Sequence, residues 1–339
     1  GSDDWTGYVA AVARRLSRNF PVVTRGAEIA LGSDLPRASG MSSSSALLIA
    51  VFLAVGKSND LRGTPDFRDT MVSREELAAY LSCVENGAPF RGLEGDAGVG
   101  TLGGCQDHTA ILASDPGKLA SYSWSPLRRE VSLALPVEYC FAIASSGVAA
   151  EKTAGAKDSY NRASLAVRHL VDTWNGLTYR DDATLADAAR SATDALERLR
   201  HIARTESTPE FSADYLSARL EHFLVESETI VPAAARALTE GSLGAFGALV
   251  DWSQWAAERL LGNQVPETSF LARSAREIGA AAASAFGAGF GGSVWALVPR
   301  DDATQFLKSW ELEYRRVFPA RAGGAQFFAT NAGPPAFQW

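Results

Sequence analysis

Cysteine is scarce in this chain, and what there is does not form a pattern. Three residues (Cys83, Cys105, Cys140) in 339 make an odd number with no Cys-x-x-Cys spacing. Together with only four histidines, unclustered, this excludes a disulfide framework and a zinc site. Basic clusters are missing as well. The net charge of -7 and a pI near 5.3 leave no Lys/Arg patch able to neutralise a phosphate backbone, so a nucleic-acid partner is not expected. Long apolar runs are also absent. The longest, Ala46 to Val55, is half of what a bilayer-spanning helix needs, and no basic start followed by an apolar segment marks a signal peptide, so no membrane is expected and a cytoplasmic location is. There is no 20 to 50 residue repeat and no low-complexity tail.

What remains is 46% hydrophobic and 21% charged, enough apolar material at this length to fill a core divided between two domains. Trp5, Tyr8, Val9, Val12, Ala13 and Leu16 recur at helical spacing. Glu28 to Leu31 reads as a short strand, Leu35 to Ser45 as a Gly/Ser loop, Ala46 to Val55 as a buried helix and Arg74 to Val84 as another helix. Seven glycines between Glu85 and Asp107 imply backbone packed close to something. Leu119 to Trp124, Glu130 to Leu135 and Tyr139 to Ala144 read as strands parted by Pro126 and Pro136. From about Lys157 to Leu261 the pattern is helical, with Leu185, Ala188, Ala192, Leu196, Leu199 and Ile202 forming a core stripe. A helix (Ser269 to Ala283), a glycine loop (Gly287 to Ser293), a strand (Val294 to Val298), a helix (Ala303 to Val317) and a last strand (Gln326 to Thr330) close the chain. Strands segregated from a helical block indicate an α+β fold.

Three glycine patterns are set aside on context. Val55-Gly56-Lys57-Ser58 resembles the end of a Walker A loop, but position 51 is valine and Gly56 follows a helical run. Gly98 to Gly103 and Gly287 to Gly292 both satisfy G-x-G-x-x-G, yet neither lies between a strand and a helix as a dinucleotide-binding turn does. Pro36 to Ala46 differs: a Gly/Ser loop runs directly into a strongly apolar helix. The amides of such a helix start, with their partial positive charge and the serine hydroxyls, suit a triphosphate and its Mg2+. Serine is also a favoured N-cap, and residue chemistry alone leaves phosphate binding and plain capping equally open.

The segment resembles the second motif of the GHMP kinase family, Pro-x-x-x-Gly-Leu-Ser-Ser-Ser-Ala, with Met41 and Ser45 in the leucine and alanine places. Gly287 to Ser293 resembles the family's third motif, Gly-Ala-Gly-Phe-Gly-Gly before a small residue and a strand. Gly103-Gly104-Cys105-Gln106-Asp107-His108 resembles the galactokinase segment Cys-Gly-x-x-Asp-Gln, with His108 replacing glutamine. Cys83-Val84-Glu85-Asn86 resembles the Ala-Glu-His or Ala-Glu-Asn segment, and Tyr160-Asn161-Arg162 the Tyr-x-x-Arg region.

The resemblance implies a two-domain GHMP fold. A ribosomal-S5-domain-2-like N-terminal domain, incomplete, would span residues 1–115, and a ferredoxin-like C-terminal domain with added helices 116–339. It implies ATP and Mg2+ as cofactors and a monosaccharide hydroxyl as acceptor, C1 of galactose by default, with arabinose, fucose, a uronic acid or a heptose as rivals. Ser39, Gly40, Ser42, Ser43, Ser44 and Ser45, with Gly287, Gly289 and Gly291, would hold the nucleotide. Ser44 and Glu85 would hold the metal, Asp107 would act as base, and Gly104, Asp107 and Tyr160 would face the sugar. Plainer alternatives stand beside these: Asp107 as a helix cap, Glu85 as a solvent-facing helix residue, the third motif as tight helix-to-strand packing, and His108 as a packing residue more than a base. The family's first motif, Arg-x-Asn-Leu-Ile-Gly-Glu-His-x-Asp, is absent. An incomplete chain with Gly1-Ser2 as a cloning remnant is therefore expected, and 339 residues with little transfer of their own. A kinase for mevalonate or homoserine, and a silent ATP- and sugar-binding regulator, are the competing readings.

Overall fold

In the computed structural model, residues 5–36, 38–150, 154–287 and 289–337 are described, with 154–157 as backbone only. Gly1-Ser2, Arg37 and Ala288 lie outside them. The first layer is helical: α1 (Thr6–Asn19), α2 (Ser43–Ser58), α3 (Pro65–Thr70), α4 (Arg74–Asn86) and α5 (Gln106–Ala113). Helix α2 is apolar on every side, the pattern of a helix meant for burial, and it carries Leu48, Ile49, Val51 and Phe52 into the core. Helix α4 starts on Ser73, whose hydroxyl accepts from the Glu76 amide, and two glutamates in its first turn match the helix dipole. Phe20, Phe52, Phe67 and Tyr80 pack ring on ring between α1, α2 and α4.

A hairpin, β1 (Lys118–Trp124) and β2 (Leu127–Ala134), leads to β3 (Tyr139–Ser145) and then to helices α6 (Ala154–Thr178), α7 (Leu185–Arg190), α8 (Ala195–Thr205), α9 (Ala213–Leu224), α10 (Val231–Thr239), α11 (Leu243–Ala256) and α12 (Pro266–Glu277). The chain then forms β4 (Ala282–Ala285), β5 (Ser293–Pro299), α13 (Ala303–Val317) and β6 (Gln326–Thr330). The four later strands make one antiparallel sheet in the order β4-β5-β3-β6. Apart from the inserted helices the connectivity is β-α-β-β-α-β with the first strand next to the last, the ferredoxin-like arrangement. Trp310 and Tyr314 of α13 are fully buried beneath this sheet.

Three expectations fail here, each for a physical reason. Glu28 to Leu31 is not a strand: the segment is irregular and mostly exposed, with no ladder partner among the described residues. The helix expected to run to Ala283 stops at Glu277, where Gly279 at φ +105° turns the chain and Ala282–Ala285 pair with β5. Alanine favours helix intrinsically, but the ladder overrides propensity. The stripe from Leu185 to Ile202 is broken between α7 and α8, so Ala192 and Leu196 are exposed while Leu185, Ala188, Leu199 and Ile202 stay buried.

Candidate active site

The serine segment and the late glycine segment meet. Ser39 is 4% exposed, and its hydroxyl donates to Pro36 O (2.7 Å) while its carbonyl accepts from Ser293 Oγ (2.7 Å). Gly292 sits at φ +90°, and a Cβ there would lie 2.8 Å from Ser39 O and 3.2 Å from Gly40 Cα. Only glycine allows both that dihedral and that approach. Gly292 N in turn donates to Val148 O, and Gly292 O accepts from the amide and hydroxyl of Ser146. The end of β3 and the start of β5 thus form the floor on which the serine turn rests.

Above that floor, Gly40 (φ +72°) and Ser42 (φ +55°) turn the backbone into α2, whose first helical residue is Ser43. Ser42 makes no side-chain cap, so the capping alternative does not describe this turn. The first-turn amides of Ser43, Ser44 and Ser45 precede the first i−4 acceptor of the helix and carry its positive pole. Ser43 is exposed and Ser44 half-buried, whereas Ser45 is 1% exposed and its hydroxyl donates inward to Glu85 Oε2 (3.2 Å). Ser39 and Ser45 therefore present no hydroxyl outward. Gly287 is exposed, with Gln106 Oε1 3.9 Å from where its Cβ would be. Gly289 and Gly291 are buried and shape the loop against Asn263 and Val148, so the tight-packing alternative describes these two.

Glu85 is not solvent-facing: it is 6% exposed, with Thr101 Oγ1 donating to its Oε1 (3.4 Å) and His108 Nε2 at 3.3 Å from its Oε2. The glycine-rich stretch after it folds on itself, Asp96 N donating to Gly87 O and Val99 N to Glu85 O. Helix α5 begins on Cys105, which makes no side-chain cap, and Asp107 is its second residue. Asp107 is therefore not a cap. Among the described residues no hydrogen bond or ion pair engages its carboxylate, which is half-exposed at the helix start. Gly104 is exposed with open space around it, and the Tyr160 hydroxyl lies 2.8 Å from where a Cβ on Gly103 would be. Asn161 fixes the same loop, accepting from Leu102 N and donating to Gly100 O. Burial pushes the Cys83 and Cys105 thiols up, away from the thiolate form. A cavity of about 560 Å³ opens between the hairpin and α9–α11 and reaches Gln106, Asn263 and Gly287.

The sequence reasoning missed two parts of this arrangement. Asn263, 3% exposed, donates to Gly287 O and its carbonyl accepts from Phe290 N; nothing in its neighbours along the chain marks it. Thr101 was also passed over, inside a glycine pattern set aside for its context.

The family descriptions "GHMP kinases N terminal domain" and "GHMP kinases C terminal" match residues 7–113 and 234–316, together more than half of the chain. The chain belongs to the GHMP kinase family. A galactokinase of Roseiflexus sp. (strain RS-1) is 26% identical over 307 residues, 89% of this chain and 68% of that protein. A galactokinase of Glaesserella parasuis serovar 5 is 25% identical over 322 residues, 93% of this chain and 72% of that protein. The solved Lactococcus lactis galactokinase complexed with galactose superposes with a TM-score of 0.70 at 22% identity, covering 99% of this chain and 76% of that one. Among the described residues no helix is long and apolar enough to cross a membrane.

Proposed function

We propose that this chain is a sugar kinase of galactokinase type, transferring the γ-phosphoryl group of ATP to a monosaccharide hydroxyl, with C1 of galactose as the first candidate. The observation that carries this reading is the seating of Gly292 and Ser293 on the Ser39–Gly40 turn, which ties the two distant glycine-bearing segments into one structure at the start of α2. The curated galactokinases that match most of the chain support the same substrate class.

The amides from Gly40 to Ser45 converge on the positive pole of α2 and hold the phosphates. Gly289 and Gly291 act through backbone shape, whereas Gly287 faces the open side. Ser44 and Glu85 would offer hard oxygens to a magnesium ion brought with the nucleotide; among the described residues no cluster of three His, Cys, Asp or Glu side chains would hold one alone. That ion, when bound, supplies charge neutralisation to the transferring group. Asp107 accepts a hydrogen bond from the sugar hydroxyl and takes its proton as transfer proceeds. Gly104 leaves the space the acceptor enters, and Tyr160 walls it.

The test is ADP release above the acceptor-free background with galactose, arabinose, fucose, a uronic acid and a heptose, and with mevalonate and homoserine. From a version that also carries the Arg-x-Asn-Leu-Ile-Gly-Glu-His-x-Asp motif, release with a sugar is the expected result; from these 339 residues alone it is expected to be small. Release only with mevalonate or homoserine refutes the acceptor assignment, and ATP binding by that motif-carrying version without release for any acceptor makes the protein a ligand-binding regulator.

A further inference from the structure

Three separate elements converge on the Glu85 carboxylate of α4. Ser45 comes from α2, which carries the phosphate turn; Glu85 from α4; Thr101 from the glycine-rich loop; and His108 from α5, immediately after Asp107. All are buried, at 1%, 6%, 2% and 2% exposure. A carboxylate this deep is retained only when its oxygens have partners, and partners held by packing fix its direction. Ser45 and His108 both reach Oε2, so the same oxygen ties the phosphate helix to the helix that carries Asp107.

From this convergence we infer that His108 is a positioning residue, aiming the Glu85 carboxylate at the metal-nucleotide site and setting α5 in register with the serine turn. The inference rests on the sugar-kinase reading and deepens it. A ligating carboxylate whose outer partner is removed characteristically loses ten- to a hundredfold in metal affinity. Leucine at position 108 fills the buried space without a polar atom. Glutamine supplies an amide donor in its place.

Isothermal titration of ATP with Mg2+ and with EDTA gives the gain in affinity conferred by the metal. In the unaltered chain the metal tightens binding. In His108→Leu that gain falls about tenfold or more while metal-free ATP affinity stays the same. His108→Gln recovers most of it, and Thr101→Val, which removes the donor to Oε1, shifts it in the same direction as His108→Leu. An unchanged gain in His108→Leu, or an equal fall with and without metal, overturns the inference. Should His108→Leu fail to fold, a Thr101→Val gain equal to the unaltered chain's overturns it. A gain in His108→Gln as low as in an apolar variant also overturns it. If the unaltered chain binds no ATP at all, the sugar-kinase reading itself fails.

Discussion

Replacing Gly292 by alanine tests whether the two distant motifs form one device. An alanine Cβ would sit 2.8 Å from Ser39 O, where ordinary contact begins at 3.4 Å, so the serine turn must retreat by 3.4 − 2.8 = 0.6 Å or the strand must shift. The φ of +90° adds a strain of roughly 1–3 kcal/mol for any residue with a side chain. Moving the turn also loosens the Ser293 Oγ to Ser39 O bond, worth about 1 kcal/mol. A displacement of this size at the turn proposed to hold the phosphates is expected to weaken Mg·ATP binding about tenfold or more. Gly323→Ala is the control, since nothing lies within 4 Å of its Cβ position and its φ is not positive. Melting temperature and ATP titration on both variants give the answer: Gly292→Ala loses in both, and Gly323→Ala in neither. Unchanged ATP affinity in Gly292→Ala would refute the claim that the glycine segment sets the turn.

Three further outcomes follow from the same geometry. Asp107→Asn keeps the shape of the site but removes the proposed proton acceptor, so sugar-dependent ADP release by a version carrying the family's first motif falls by about 10²–10⁴ while Mg·ATP affinity is unchanged in calorimetry. Tyr314→Phe deletes the hydroxyl that donates to Ser146 O (2.5 Å), leaving a buried carbonyl short of a partner. Denaturant unfolding should show a loss of about 1–3 kcal/mol. Burial, and then the neighbouring Arg219, lower the His222 pKa to about 4 from its ordinary 6.5. The unfolded chain therefore binds the extra proton first. The contribution is complete above pH 6.5 and is lost as pH falls toward 4, at no more than about 1.4 kcal/mol per pH unit. His222→Gln should flatten the melting temperature between pH 7 and 5 relative to the unaltered chain.

Elements set by local pattern were legible in the sequence. The Ala303–Val317 helix and the Gln326–Thr330 strand have the expected bounds, and the apolar run after the serines is a buried helix. Elements that depend on a distant partner were not. Ala282–Ala285 is a strand because β5 lies beside it, and Glu28–Leu31 is irregular because no strand does among the described residues. In the site, residue chemistry marked the serine turn but left its use undecided, and resemblance alone joined it to a glycine segment some 250 residues later. The contact between Gly292 and Ser39 is a fact of packing that no local pattern carries. The burial of Glu85 is likewise tertiary: helical spacing leaves a glutamate free to face water, and only Ser45, Thr101 and His108 arriving from other elements draw it inward.

The central claim is that the Gly40–Ser45 turn grips a nucleotide's phosphates within reach of Asp107. A crystal structure with Mg2+ and a non-hydrolysable ATP analogue tests it most directly. The account predicts the terminal phosphate against the amides at the start of α2, on the side that faces the Asp107 carboxylate. Density for the phosphates at any other surface, or a saturating soak that leaves this turn empty, would contradict it.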